Sequence, residues 1–128
     1  MTLTPCDRLF MLSETLPKRA NRYLSHIREY HSDDEARAAH RLIRLLVKRN
    51  YSVSVNDGAE WVLKRSTSIP AILSAMGTTS EDHLIIRDPS GEIAGWFNIL
   101  WGNSGEELIA DHSGNEICES LWKEWASI

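Results

Sequence analysis

The chain has 128 residues, of which 42% are hydrophobic and 25% are charged. This length and composition are typical of one globular domain with its own core, and they exclude an intrinsically disordered chain. No apolar run approaches the roughly 18 residues that a membrane span needs. Asp7 and Arg8 interrupt the apolar stretch in which a signal peptide would have its core. We therefore expect a soluble, cytoplasmic protein that does not contact a membrane.

The net charge of −4 is unevenly distributed along the chain. Residues 1–50 hold ten basic and six acidic side chains, whereas residues 51–128 hold four basic and twelve acidic ones. A basic N-terminal part joined to an acidic C-terminal part could attract two different partners, or the two parts could attract each other.

The basic part, residues 1–50, is predicted to form two amphipathic helices. A hydroxyl N-cap followed by proline at Thr4-Pro5 starts the first helix, whose apolar residues recur every three or four positions up to Tyr30. Pro17 falls in its middle, so the pattern fits one kinked helix or two short collinear ones. Ser32 and Glu35 form a capping box that starts the next helix, which runs to about Arg49.

Residues 51–55 and 59–63 alternate in the manner of two strands, and the loop between them predicts a hairpin. A three-residue loop with Gly58 in the left-handed region would pair Val53 with Trp61, and so would place the apolar residues of both strands on one face.

The remaining elements predicted in chain order are a helix over 69–76, strands over 83–87, 92–101 and 106–111, and a helix capped by Asn115. The result is one α+β domain with an antiparallel sheet of about five strands, in the order ααββαβββα. Strand 92–101 is apolar on both faces and needs cover on both sides. We expect the short and last helices on one face and the two N-terminal helices on the other.

The turn Asp111-His112-Ser113-Gly114-Asn115-Glu116 is the first candidate for chemistry. Carboxylate and imidazole groups converge there, as in a metal or acid–base site. A strand end, a turn and a helix cap require the same residue types, and this structural interpretation is favoured. Glu81-Asp82-His83 is expected to be a solvated loop. No phosphate loop, nucleophile elbow or metal-ligand spacing is present, so no catalytic residue, metal or cofactor is predicted.

Two cysteines, Cys6 and Cys118, lie near opposite ends of the chain. In a reducing cytosol we expect two free thiols packed as small apolar residues, and a disulfide between them is the alternative.

A basic helical face is the second candidate. Arg37, Arg41, Arg44 and Lys48 recur at helical spacing on the second helix. Such a face could contact nucleic-acid phosphates. A solvated face, or one that docks on the protein's own acidic part, is favoured because the overall charge is negative and no DNA-binding motif is present.

The third candidate is an acidic surface of the C-terminal part, whose carboxylates are concentrated at predicted turns and strand ends. If those ends lie on one edge of the sheet, they form a negative surface that fits a basic partner protein, with an exposed tryptophan as anchor. Glu81 and Asp82 belong to the same acidic set. The candidate partner-binding residues are Asp57, Glu60, Trp61, Asp88, Glu92, Glu106 and Glu107.

The predicted hairpin carries the motif Asn56-Asp57-Gly58, Glu60-Trp61 and Lys64-Arg65-Ser66-Thr67. Together with the turn and strand residues at 86–88, 95–96 and 102–103, it resembles small uncharacterised proteins of phages and prophages over roughly residues 51–115. The resemblance implies an accessory protein of a mobile element that binds and blocks a host or rival protein, as CRISPR and restriction inhibitors do. It transfers no functional residues.

The favoured interpretation is therefore a non-enzymatic protein-binding module that acts through an acidic surface of the sheet. The first alternative is a nucleic-acid-binding protein that uses the basic helices, and the second is a small hydrolase or metal enzyme at the 111–116 turn. The sequence does not specify the partner or the oligomeric state.

Overall fold

The computed structural model describes residues 26–127, and its elements confirm the predicted α+β class and the order of elements. The first predicted helix lies outside the described residues except for a short helical end at residues 26–28. The elements are α1 (Asp33–Lys48), β1 (Ser52–Asn56), β2 (Trp61–Ser66), α2 (Ile69–Ala75), β3 (Glu81–Arg87), β4 (Ile93–Leu100), a 3₁₀ turn (Gly105–Glu107), β5 (Ile109–His112) and α3 (Glu116–Ala126).

The five strands form one antiparallel sheet in the order β2-β1-β3-β4-β5. The connections between the elements distinguish two ends of this sheet. At the 57–60 end, β1 turns into β2, β3 begins, and β4 leads into the 3₁₀ turn. At the 88–92 end, β3 turns into β4 and α1 leads into β1. Because α1 immediately precedes β1 and runs antiparallel to it, the helix begins at the 57–60 end and finishes at the 88–92 end.

Helix α1 begins with the capping box that the sequence predicts. The Ser32 Oγ accepts a hydrogen bond from the Glu35 N–H at 3.1 Å, and the Glu35 carboxylate accepts one from the Ser32 N–H at 3.2 Å. The apolar stripe of the helix, with Leu42, Ile43 and Leu46, is fully buried. These side chains share one core with the inward residues of the sheet.

The prediction that helices cover both faces of the sheet is wrong for the described residues. Helices α1, α2 and α3 all contribute to the core on one face, against strand residues such as Val53, Leu84 and Phe97. The other face, called the open face below, carries no helix of residues 26–127. Trp96 lies on it with 36% of its surface exposed. Trp96 pairs with the apolar Ile85 on this face, but the positions beyond them include polar side chains, with His83 opposite Asn98 and Glu81 opposite Leu100.

One such polar pair joins β3 to β4 on the open face. His83 and Asn98 occupy directly opposed positions, and the His83 Nδ1 lies 2.7 Å from the Asn98 Oδ1. The His83 and Asn98 side chains therefore satisfy each other's hydrogen-bonding groups. Beneath a covering layer of apolar side chains, such groups would lack partners.

The predicted register of the first hairpin is also wrong. Val53 pairs with Ser66 and Val55 with Leu63, and the pairing shifts twice along the two strands. The cause lies in the turn, where the Asp57 carboxylate accepts hydrogen bonds from the N–H groups of residues 59 and 60, each at 2.9 Å. This side chain holds a four-residue turn where the sequence predicted three, and β2 therefore starts two residues later than predicted.

Two smaller corrections affect the C-terminal part. Glu106 and Glu107, predicted to start a strand, lie in a 3₁₀ turn (Gly105–Glu107) instead, and β5 begins at Ile109. Ile93, predicted to face the core, is largely exposed. The pairing of β3 with β4 shifts beside it, between Ile86 and Arg87.

Gly95 gives a direct test of how α3 packs on β4. A Cβ at this position would overlap the Cys118 Sγ and lie 2.6 Å from the Ser113 Oγ. We expect Gly95→Ala to lower the free energy of unfolding by about 1–3 kcal/mol, because the helix must move away from the strand. Urea unfolding followed by tryptophan fluorescence measures this change.

Gly114 is the matched control, since a Cβ there meets nothing within 4 Å and its φ is not left-handed. Gly114→Ala should change the stability by less than about 0.5 kcal/mol. Equal losses in the two variants would contradict the described packing.

Candidate functional site

The 57–60 end collects carboxylates from four separate segments of the chain. The β1–β2 turn is joined to the start of β3 by Thr79, whose Oγ1 donates to the carbonyl oxygens of Asp57 and Glu81, at 2.8 and 2.7 Å. Gly58 lies against the same carbonyl of Glu81. The side chains of Asp57, Glu60 and Glu81 are therefore held at one end of the sheet.

The 3₁₀ turn and the N-terminus of α1 add further carboxylates at this end. The Gly102 N–H donates to the Glu35 Oε2 at 2.6 Å, and Gly105 lies close against the carbonyl oxygen of Asp34. These contacts place Glu106 and Glu107, both exposed, beside the start of the helix and the exposed Asp34. Glu106 and Glu107 reach this position because they belong to the 3₁₀ turn, whereas the sequence predicted a strand for them.

Two carboxylates of this end are held ionised by hydrogen bonds. Backbone N–H groups of Glu60 and Ala59 lower the pKa of Asp57 below its ordinary value. Burial alone would raise the pKa of Glu35, but hydrogen bonds from Gly102 and Ser32 outweigh it and lower the pKa. Both side chains are structural, since each ties backbone segments together.

Asp82 lies beneath the carboxylates of the 57–60 end. The prediction that it belongs to a solvated loop is wrong. It is a residue of β3 and is fully buried. Its Oδ2 accepts hydrogen bonds from the Gly77 N–H at 2.9 Å and from the Trp101 Nε1–H at 2.8 Å. Its Oδ1 is buried without a hydrogen-bond partner among residues 26–127. Burial raises the pKa of Asp82, the charge of Asp57 adds to the rise, and the two hydrogen bonds oppose it.

His31 contacts two residues that also bind Asp82, namely Trp101 and Gly77. Its ring stacks on Trp101, with ring centroids 4.4 Å apart, and its Nε2 lies 2.9 Å from the Gly77 carbonyl oxygen. Gly77 therefore contacts His31 through its carbonyl and Asp82 through its N–H. The loop before β3 is fixed to the helix side of the molecule by these polar contacts, which the sequence pattern did not indicate.

Exposed apolar side chains adjoin the carboxylates. Trp61 and Val62, the first residues of the outer strand β2, are 44% and 42% exposed. The shifted hairpin register pairs Trp61 with Asn56, whereas the predicted pairing placed it opposite the core residue Val53. A large aromatic group with an adjacent aliphatic one on a rigid strand is typical of an interface anchor.

The candidate partner-binding residues do not all lie together. Asp57, Glu60, Trp61, Glu106 and Glu107 lie at the 57–60 end, whereas Asp88 and Glu92 lie in the β3–β4 turn at the opposite end. Asp88 is used by its own turn, where its Oδ1 accepts hydrogen bonds from the N–H groups of Ser90 and Glu92. The single acidic edge expected from the sequence is therefore divided, and most of it lies at the 57–60 end.

The predicted basic face of α1 is also divided. Arg37 pairs with Asp33 at 3.0 Å. Arg41 lies over the Trp125 ring, 5.5 Å from its centroid, and its Nε has no hydrogen-bond partner within the described part of the chain. Arg41, Arg44 and Lys48 line a cavity of about 390 Å³ near the end of the helix. Only these three lie together.

The 111–116 turn is held by structural hydrogen bonds. The Asn115 side chain caps α3 by accepting from the Cys118 N–H at 3.0 Å, and it donates to the Ala94 carbonyl oxygen at 2.7 Å. The Ser113 Oγ accepts from the Trp96 N–H and donates to the Sγ of Cys118, a buried free thiol. Its possible partner Cys6 lies outside the described residues.

Searches for a metal centre and a membrane span add two findings. Within residues 26–127, no group of three or more His, Cys, Asp or Glu side chains is arranged to hold a metal ion. No helix in that range has the length and apolar character needed to cross a membrane.

Comparison of the chain with protein-family models, with curated proteins and with solved structures finds no match. The fold and the side-chain geometry are therefore the basis on which a function is proposed below.

The raised pKa of Asp82 predicts a specific pH dependence of stability. Between the pKa values of the unfolded and folded states, the folded protein binds more protons at this group, so its contribution to the free energy of unfolding falls as the pH rises. We expect the stability of the wild type to increase relative to that of Asp82→Asn as the pH is lowered from about 7 to about 4. Urea unfolding of both proteins over this range measures the difference, and a constant or decreasing difference would contradict the prediction.

The buried hydrogen bonds of Asp82 predict a second result. Asp82→Ala leaves the Trp101 Nε1–H and the Gly77 N–H without their acceptor, and we expect it to lower the free energy of unfolding by about 1–3 kcal/mol for each group. Asp82→Asn keeps an acceptor oxygen and should cost less. Equal stability of the two variants at neutral pH would show that these bonds contribute nothing.

Proposed function

We propose that this protein is a non-enzymatic protein-binding module whose 57–60 end binds a basic surface of a partner protein. The observation that carries the proposal is the set of exposed carboxylates gathered there beside the exposed side chains of Trp61 and Val62. The binding surface is defined by Asp34, Asp57, Glu60, Trp61, Val62, Glu81, Glu106 and Glu107.

The negative charge of this surface is available to a partner. Arg28 and Arg37, two cations near the start of α1, both pair with Asp33, which lies outside the defined surface. Glu60, Glu106 and Glu107 are exposed and form no ion pair among the described residues. An excess of one sign of charge steers a partner of opposite charge and selects against acidic proteins.

The surface is also rigid, which lowers the entropic cost of binding. Asp57 fixes its own turn, Thr79 joins that turn to β3, and Glu35 joins α1 to the loop after β4. From β2 to β4 the carboxylates span about 14 Å, given a strand spacing near 4.8 Å. This extent fits the central patch of an interface of ordinary size.

The resemblance of the hairpin motif suggests a biological setting for this binding. A cytoplasmic accessory protein of a phage or other mobile element could use an acidic surface to cover the basic, nucleic-acid-binding surface of a host or rival protein. Inhibition of a CRISPR or restriction system is the form of this activity that we propose.

Charge reversal at the 57–60 end tests the proposal. The variant Glu60→Lys/Glu106→Lys/Glu107→Lys changes exposed side chains without touching Asp57 or Glu35, which support the fold. We expect a protein captured by the tagged wild type from host lysate at low and moderate salt to be lost from this variant, because one attractive surface becomes repulsive. Mass spectrometry of the captured proteins measures the loss.

The control is Glu92→Lys/Asp111→Lys/Glu116→Lys, which makes the same change in net charge at exposed positions away from the 57–60 end. It should capture the same protein as the wild type. If the wild type captures no specific protein, or if both triple variants lose it equally, the proposal is wrong.

A further inference from the structure

The end of α1 meets β1, β2 and β3 at the 88–92 end. An open cavity of about 740 Å³ lies there, and polar and charged residues contribute much of its wall. Those that bear on its chemistry are Asn50, Ser52, Arg65, Thr67, Arg87 and Asp88. We propose that this cavity binds a phosphate group, with the guanidinium groups of Arg65 and Arg87 as its principal donors.

The two arginines are joined by one buried hydroxyl group. The Ser54 Oγ accepts a hydrogen bond from the Arg65 N–H at 2.9 Å and lies 3.5 Å from the Arg87 Nη1. Ser54 is only 3% exposed, although serine is a small polar residue on the open face of the sheet. The contact ties the backbone of β2 at Arg65 and the side chain of Arg87 on β3 to the intervening strand β1, and both arginines line the cavity.

The backbone around the cavity is strained. Among residues 26–127, Asn50 with a φ of 69° and Arg65 with a φ of 49° are the non-glycine residues in the left-handed region, and both line this cavity. Asparagine tolerates this conformation, but arginine has no side-chain compensation for it. Strain of this kind persists where the surrounding structure imposes it, and it is concentrated at binding sites.

The positive charge of the cavity is not cancelled by the protein. Neither Arg65 nor Arg87 has a carboxylate within 4.0 Å in the described part of the chain. Asp88 also lines the cavity, and hydrogen bonds from the Ser90 hydroxyl and from the N–H groups of Glu92 and Ser90 lower its pKa, so its charge offsets one arginine and leaves a net charge of +1. Planar guanidinium groups with nearby hydroxyl and amide donors match the oxygens of a phosphate.

The end of α1 does not oppose anion binding as strongly as a bare helix C-terminus would. The N–H groups of Arg49, Asn50 and Tyr51 donate to the last carbonyl oxygens of the helix. Val47 lines both cavities, and the smaller one, of about 390 Å³, adds Arg44 and Lys48 against one carboxylate, Glu124, which pairs with Arg49. Cations in two adjoining cavities favour a ligand with more than one negative group, such as a diphosphate or successive phosphates of a nucleic-acid strand.

Titration of the full-length protein with two probes tests this site. Pyrophosphate at low salt is measured by isothermal titration calorimetry, and a short labelled single-stranded oligodeoxynucleotide by fluorescence anisotropy. We expect at least one probe to bind, with an affinity that falls as salt is added. Arg87→Gln and Arg65→Gly should each weaken that binding about tenfold or more, because each removes a charge-assisted donor.

Two variants keep the result interpretable. Lys64→Gln removes an exposed positive charge from β2 at a residue that does not line the cavity, and it should bind like the wild type. Arg65→Gly places glycine where the backbone is left-handed, so it should melt no lower than the wild type while still losing affinity. Pyrophosphate binding would assign the site to a free phosphate ligand, and binding of the oligonucleotide alone would assign it to nucleic acid. Absence of binding by both probes, or unchanged affinity in both arginine variants, would overturn the proposal.

Discussion

The carboxylate of Glu35 holds the helical and sheet parts of this molecule together. One of its oxygens completes the capping box with Ser32, and the other accepts the Gly102 N–H from the loop that follows β4. Removal of this group would leave the N–H groups of Ser32 and Gly102 without their protein acceptor, and because both residues are exposed, water would replace part of each bond. This contact holds the start of α1 at the 57–60 end, in keeping with the direction that the helix takes because it leads into β1 at the 88–92 end.

Charge separation follows from that direction. Helix α1 places acidic residues at its start and basic residues at its end, an arrangement that complements the helix dipole. The sheet repeats the separation, with Asp57, Glu60 and Glu81 near the start of the helix and Arg65 and Arg87 near its end. Most of the acidic residues at the ends of the sheet therefore lie at the 57–60 end, whereas at the 88–92 end Asp88 and Glu92 are accompanied by arginines.

Local patterns predicted the fold class, the order of elements and the capping of α1, because each depends on residues close together in sequence. The hairpin register could not be predicted in the same way, because the Asp57 side chain competes with backbone acceptors and lengthens the turn. The placement of all described helices on one face depends on polar pairs such as His83 and Asn98, which meet only after β3 and β4 have paired. Asp57 and Glu60 were found from sequence as turn residues, whereas the proximity of Arg65 to Arg87 requires the strand order.

The irregular pairing of β2 has a consequence for self-association. An outer strand with exposed Trp61 and Val62 would normally be a template on which further strands assemble into aggregates. Here the pairing with β1 shifts twice, and Lys64 and Arg65 follow the apolar pair. A shifted strand does not present evenly spaced N–H and C=O groups to a strand of another molecule. The positive charges of Lys64 and Arg65 on neighbouring molecules also repel each other. The irregular pairing and the adjacent positive charges therefore oppose edge-to-edge assembly while Trp61 and Val62 stay exposed.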